Sequence, residues 1–259
     1  MRVTKFSASM PISTGTPFSA LPLTPALQVT LTELGWHAIN PLQAAVLPEA
    51  LAGRDLIVQA SPGSGRTVAF TVALLHRLDP RRFDVQALVL CPTRERVQHV
   101  AQRIRDCVRA ARHVKVVALM HGAAMRPQID SLIHGAHVVV GTPGRVVDHL
   151  DAGSLDLRAI GILVIDDAES MLDLGLVDDV GFAASRCPKG RQTLLFSTSF
   201  DSDLDPEVAR FSRLWLRKPR HIAHLPDWCR GACPIPMRVL RETKIRESHP
   251  VSAAIPLLI

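Results

Sequence analysis

The segment Ala60-Ser61-Pro62-Gly63-Ser64-Gly65-Arg66-Thr67 separates an apolar run from an apolar helical stretch. A glycine-rich turn in that setting presents backbone N–H groups and the positive end of a helix to phosphate oxygens. Thr67 stands where its hydroxyl can reach a magnesium ion. Arg66 brings its charge as a planar fork, which differs in reach and hydration from the compact ammonium of a lysine. Pro62 locks φ and removes one N–H from a loop whose N–H groups would do the binding. The alternative for this segment alone is an ordinary strand-to-helix turn that uses Gly63 and Gly65 for backbone freedom. A second cluster, Asp166-Asp167-Ala168-Glu169, directly follows the apolar run Ile160 to Ile165. Carboxylates at the end of a buried strand suit a magnesium ligand, here Asp166, and a water-activating base, here Asp167. Acidic residues in a first helical turn also complement the helix dipole, so that explanation stays open.

These residues need strands behind them. Short runs rich in Val, Leu and Ile occur at Asp55 to Ala60, Gln86 to Cys91, Val114 to Met120, His137 to Gly141, Ile160 to Ile165 and Thr193 to Ser197. They lack polar alternation, as strands buried on both faces of a parallel sheet do. Helical patterns lie between them at Thr67 to Leu78, Arg94 to Ala111 and Gly144 to Leu150. The alternation predicts a doubly wound α/β domain with a mostly parallel sheet. Ligands of such sheets bind at the carboxyl ends of the strands, where both clusters lie. Residues 1–17, rich in Ser, Thr and Pro, read as a loose leader, the domain as 18–222, and 223–259 as an irregular tail.

The chain has 259 residues and is 47% hydrophobic, enough to bury a core. Lys and Arg number 30 against 24 Asp and Glu, a net +6 that suits a polyanionic partner without requiring one. Five scattered cysteines, Cys91, Cys107, Cys187, Cys229 and Cys233, point to reduced thiols, and with no membrane-length apolar run the expected location is cytoplasmic. Cys229 and Cys233 lack the partner ligands of a zinc site, and His134 and His137 suit a turn and a strand start better than a metal. Met171, Leu172 and Leu174 fit the core side of a helix.

Taken in order, the motifs resemble the first RecA-like domain of the DEAD-box family of ATP-dependent RNA helicases, over roughly residues 18–222. Phe18, then Gly35-Trp36, then Pro41-Leu42-Gln43 is similar to that family's adenine-reading Q motif. The resemblance implies ATP as ligand, with Gln43 on the adenine edge, Trp36 stacked on its ring, and Phe18, Ser61, Pro62, Gly63, Ser64, Gly65, Arg66 and Thr67 in the nucleotide site. It implies Mg²⁺ on Thr67 and Asp166. Pro92-Thr93-Arg94-Glu95, Gly122-Ala123 and Thr142-Pro143-Gly144-Arg145 resemble the loops that grip an RNA backbone. Hydroxyls and arginines at helix N-termini suit phosphate contacts, which carry affinity with little sequence information. Each tetrapeptide alone reads equally as a helix start. Glu169, Ser197 and Ser199 fall where relatives couple nucleotide to RNA. The resemblance is nearest to bacterial helicases of large-subunit ribosome assembly, which makes ribosomal RNA the implied partner.

Departures from the family pattern shape the functional expectation. Arg66 replaces lysine, Asp167 replaces the glutamate that positions water, and Glu169 replaces the last aspartate of the acidic motif. Nothing after residue 222 resembles the second RecA-like domain, from which relatives take their arginine fingers, so a second RecA-like domain or protein in trans is the implied partner. The expectation is an ATP- and RNA-binding helicase-type domain with impaired hydrolysis. The alternative is a non-catalytic RNA- or partner-binding remnant, a truncated pseudoenzyme or frameshift product. A small-molecule kinase is a distant further reading, with no acceptor-binding segment in its favour.

Overall fold

The structure is a computed structural model that describes residues 14–109, 114–198 and 206–224. Ser199, Cys229, Cys233, the tail from residue 225 and most of the expected leader lie outside the described residues. A short 3-10 turn at Phe18–Ala20 leads into helices α1 (Pro25–Glu33) and α2 (Pro41–Leu51). Strand and helix then alternate: β1 (Leu56–Ala60), α3 (Arg66–Arg77), β2 (Ala87–Leu90), α4 (Arg94–Cys107), β3 (Val116–Leu119), α5 (Met125–Ile133), β4 (Val138–Gly141) and α6 (Pro143–Asp151). The chain continues through β5 (Ile162–Asp166), α7 (Ala168–Asp173), α8 (Val177–Arg186), β6 (Gln192–Ser197), α9 (Pro206–Trp215) and β7 (Arg220–His224).

The strands form one sheet in the order β3-β4-β2-β5-β6-β1-β7, and every pairing is parallel. Each parallel crossover needs a helix, and the helices divide between the two faces. Alternate residues of a strand therefore enter different cores. Ile162 and Val164 of β5 pack with Leu42, Phe70, Val97 and Ile104 from α2, α3 and α4. Leu163 and Ile165 pack on the other face with Val146, Val180 and Phe211 from α6, α8 and α9. Phe70 meets Phe196 edge to face at 5.4 Å, an arrangement that adds about 0.5–1.5 kcal/mol beyond area burial. The doubly wound α/β architecture with a parallel sheet, expected from the apolar runs, is thus present.

Strand β7 was not anticipated. Its sequence, Arg220-His221-Ile222-Ala223-His224, has a single well-buried residue, Ile222, and the strand lies at the sheet edge, paired only with β1. Asp55 anchors it. The Asp55 side chain accepts N–H bonds from Thr193 (2.9 Å) and Arg217 (2.7 Å), and its carbonyl accepts from Arg220 N–H (2.9 Å). The edge of the domain so reaches His224. At the other end Gly15 N–H donates to Ile39 O (2.9 Å) and Ile39 N–H to Thr16 O (2.8 Å), so residues 15–17 already pair with the folded chain.

Candidate functional site

The capping of α2 and the turn before α3 are built as one unit. Asn40 Oδ1 accepts from Gln43 N–H (2.8 Å), and Gln43 Oε1 accepts from Asn40 N–H (3.0 Å), a reciprocal capping box. Asn40 Nδ2 then donates to Ser64 O (2.9 Å), which ties the box to the phosphate loop. Gly65 closes the loop at φ 95°, and a Cβ there would lie 2.4 Å from Asn40 Nδ2 and 2.8 Å from Gln43 Nε2. Glycine is required both by the left-handed conformation and by this close approach. Ser64 spends its N–H and its hydroxyl on Ser61 O, at 3.2 and 2.6 Å. Pro62 has no N–H, so neither it nor Ser64 offers a backbone donor to a ligand.

A cleft of about 250 Å³ opens beside this loop, with Trp36, Pro62, Gly63, Arg66 and Thr67 on one side and Arg96, His99 and Arg103 on the other. The last three share one face of α4 at helical spacing. Sequence reasoning missed them because α4 read only as an RNA-facing helix start. The 3.6-residue period running from Arg96 through His99 to Arg103 is the signal that would have found them. Trp36, half-buried, lines the cleft. Gln43 is buried against Gly65 rather than open to the cleft, and Phe18, 3% exposed, lies in the N-terminal cluster with Leu27, Leu31 and Ile39.

At the end of β5, Asp166 is fully buried, and its Oδ2 accepts from Arg96 Nε at 2.6 Å. Arg96 Nη2 also reaches Thr67 Oγ1 at 3.5 Å. One guanidinium therefore spans the two groups expected to hold Mg²⁺. As these side chains stand, Arg96 holds Asp166 Oδ2 and lies within reach of the Thr67 hydroxyl; Asp166 Oδ1 is buried without a hydrogen-bond partner, so an ion there would have to sit beside the Arg96 guanidinium, whose like charge opposes it. Burial works against the charge of Arg96, but the hydrogen bond and attraction to Asp166 outweigh it and raise its pKa. Arg66 is 5% exposed, and its Nη1 is buried without a hydrogen-bond partner. Burial lowers its pKa, opposed chiefly by Asp166.

Asp167 takes a left-handed conformation, φ 68°, at the start of α7, and its Oδ2 accepts from Ser170 Oγ (2.9 Å). The carboxylate expected to activate water is thereby engaged with its own helix. Glu169 reaches across to β6, accepting from the Ser197 hydroxyl and from Thr198 N–H (2.9 Å). The longer side chain keeps a direct link between the acidic motif and the Ser197-Thr198 segment.

The three loops resembling RNA grips lie at the ends of β2, β3 and β4. Thr93 caps α4, accepting from Arg96 N–H at 3.2 Å, while Pro92 precedes it. A Cβ on Gly122 would lie 2.8 Å from Arg94 Nη1, so Arg94 rests against the bare glycine. Thr142 and Pro143 open α6, and Gly144 gives room to His121 and Asp179, which a Cβ would meet at 3.1 Å each. Arg145 turns inward. It is 9% exposed, donates to Ala123 O (3.2 Å), and lies 3.5 Å from Asp148. The three cysteines among the described residues, Cys91, Cys107 and Cys187, are free and buried, with burial pushing the Cys107 and Cys187 thiols up to about 12.

Among known proteins, residues 40–206 match the DEAD/DEAH box helicase family. The chain is 46% identical over 199 residues to the ATP-dependent RNA helicase DbpA of Escherichia coli K12, covering 76% of this chain and 44% of that protein. It is 40% identical over 208 residues to the ATP-dependent RNA helicase DeaD of the same organism, covering 80% of this chain and 32% of that protein. A DEAD box protein from the hyperthermophile Methanococcus jannaschii superimposes with a TM-score of 0.75 at 28% identity, covering 82% of this chain and 56% of that one. This chain spans less than half the length of these two curated relatives. No described helix is long and apolar enough to cross a membrane. With the phosphate turn, the acidic strand end and the glycine-backed loops all at the carboxyl ends of the strands, and with a match running from Asn40 through Pro206, the chain belongs to the DEAD/DEAH box helicase family.

Proposed function

We propose that the domain binds a nucleoside triphosphate and an RNA backbone on adjoining loops and hydrolyses the nucleotide very slowly by itself. The observation that carries this reading is the cationic cleft. Arg66, Arg96, His99 and Arg103 converge beside the glycine turn with Trp36 at its rim, which suits polyphosphate next to a flat ring. RNA contacts belong to the outer loops, where Arg94 stands against Gly122 and Thr93 opens α4.

Slow turnover follows from three features. Asp167 is a methylene shorter than glutamate and is already bonded to Ser170. A misplacement of about 1 Å can cost roughly 100-fold in rate. Arg66 delivers charge at a different reach from lysine. An arginine finger from another domain is worth about a thousandfold or more in phosphoryl transfer. A second RecA-like domain, elsewhere in the protein or in trans, is the partner this site needs. Ribosomal RNA is the target suggested by likeness to the bacterial helicases.

Titration of the purified chain with a fluorescent ATP analogue, with and without single-stranded RNA, tests the reading, beside Arg66→Lys, Asp167→Glu. Saturable binding by the unaltered chain is the expected result. Binding only by the double variant would sink the nucleotide reading and leave the RNA- or partner-binding remnant.

A further inference from the structure

At the acidic end of β5 a side chain from α4 occupies one carboxylate oxygen of Asp166, Oδ2, while Oδ1 is buried without a hydrogen-bond partner. Thr93 caps α4, and the N–H that it accepts belongs to Arg96, which fixes that residue in the first turn, pointing over the phosphate loop. From there Nε bonds Asp166 Oδ2 at 2.6 Å and Nη2 reaches Thr67 Oγ1 at 3.5 Å. Thr67 and Asp166 come from different elements, α3 and β5, and no other described residue bridges both. The carboxylate is 0% exposed and the Arg96 side chain 27%, so the pair is shielded from water on one side and open to the cleft on the other. Guanidinium has five donors, and this geometry leaves donors that can turn to a phosphate in the cleft. Arg66 Nη1, buried and without a hydrogen-bond partner, is a second donor at the same place.

From this geometry we propose that Arg96 takes the place of a divalent cation, so that the cleft binds metal-free nucleoside polyphosphate through Arg96 and Arg66. The inference rests on the nucleotide reading above. A cation tethered to the fold competes with a free ion for Asp166 at high effective concentration. A divalent ion could reach Asp166 through Oδ1, which has no hydrogen-bond partner, but it would sit beside the Arg96 guanidinium already bonded to Oδ2, and the like charges oppose its binding unless that short charge-assisted bond is given up. Magnesium in solution also complexes the polyphosphate, which removes the form that the two arginines would hold. Added magnesium should therefore leave affinity unchanged or lower it.

The test is the dissociation constant of a fluorescent ATP analogue in EDTA and in excess Mg²⁺, for the unaltered chain and for Arg96→Gln, with thermal melts to verify that the variant folds. The unaltered chain should bind at least as tightly in EDTA as in Mg²⁺. Arg96→Gln should lose affinity in EDTA and regain it in Mg²⁺, by about 5- to 100-fold, the usual span of coupling between two ligands. Loss of binding by the unaltered chain in EDTA, with full binding in Mg²⁺, would overturn the proposal and leave the nucleotide reading standing. An Arg96→Gln protein indifferent to both EDTA and Mg²⁺ while still binding as the parent does would also overturn it. No binding by either protein in either buffer would overturn the nucleotide reading, and this proposal with it. The EDTA comparison on the unaltered chain decides the matter even where the variant fails to fold.

Discussion

Single residues at the phosphate turn do several jobs at once. Gly65 holds φ 95° and lets Asn40 and Gln43 approach to distances at which a Cβ would clash. Gly65→Ala should cost roughly 1–3 kcal/mol from backbone strain, and more if Asn40 is driven off Ser64. The expected outcome is a lower melting temperature together with weaker binding of the ATP analogue. An alanine variant with unchanged melting and affinity would show that the loop relaxes freely and that its closeness to α2 is incidental. The residue scale also shows what sequence could and could not reveal. Arg66, Asp167 and Glu169 were legible as departures because a motif surrounds them. Arg96 was not, because its partners Thr67 and Asp166 are distant in sequence and only the sheet order brings them together.

Elements were legible to the degree that they are buried. Six strands announced themselves as apolar runs because both of their faces meet helices, and their observed limits fall within a few residues of those runs. The seventh, β7, has neighbours on one edge only and reads as basic and polar, so apolar content could not mark it. Its attachment depends on a polar residue instead. Asp55 is 4% exposed and accepts N–H groups of Thr193 and Arg217 on its two oxygens. Asp55→Asn keeps one acceptor and turns an NH₂ toward the other donor, leaving a buried N–H unsatisfied at a cost of about 1–3 kcal/mol. Chemical denaturation should show that loss. Hydrogen exchange should be faster along β7 and the adjoining side of β1 than along β4 and β5. Uniform exchange across all four strands would mean that Asp55 supports the sheet as a whole and not its edge.

The described residues share one seven-stranded sheet in which every pairing is parallel, and the acid stability of that fold should follow from buried His149 and half-buried His76. His149 is fully buried, with Nδ1 2.8 Å from Ser154 Oγ. Burial, reinforced by Arg145, holds its pKa below the usual 6.5. His76 is held low by burial and then by Arg77. Above the unfolded pKa both states carry neutral rings and neither histidine biases folding. As pH falls through it, the unfolded chain takes up protons that the folded chain refuses, so stability declines toward the folded values. Each histidine can contribute a slope of up to about 1.4 kcal/mol per pH unit in that window. Urea midpoints measured from neutral pH down through the histidine range should therefore fall, and His149→Gln, which retains a polar partner for Ser154, should flatten the fall. An unchanged slope in the variant would assign the acid sensitivity to His76 and to carboxylates. A slope of opposite sign would show that His149 is charged in the folded domain, paired with Asp148 instead of excluded from water.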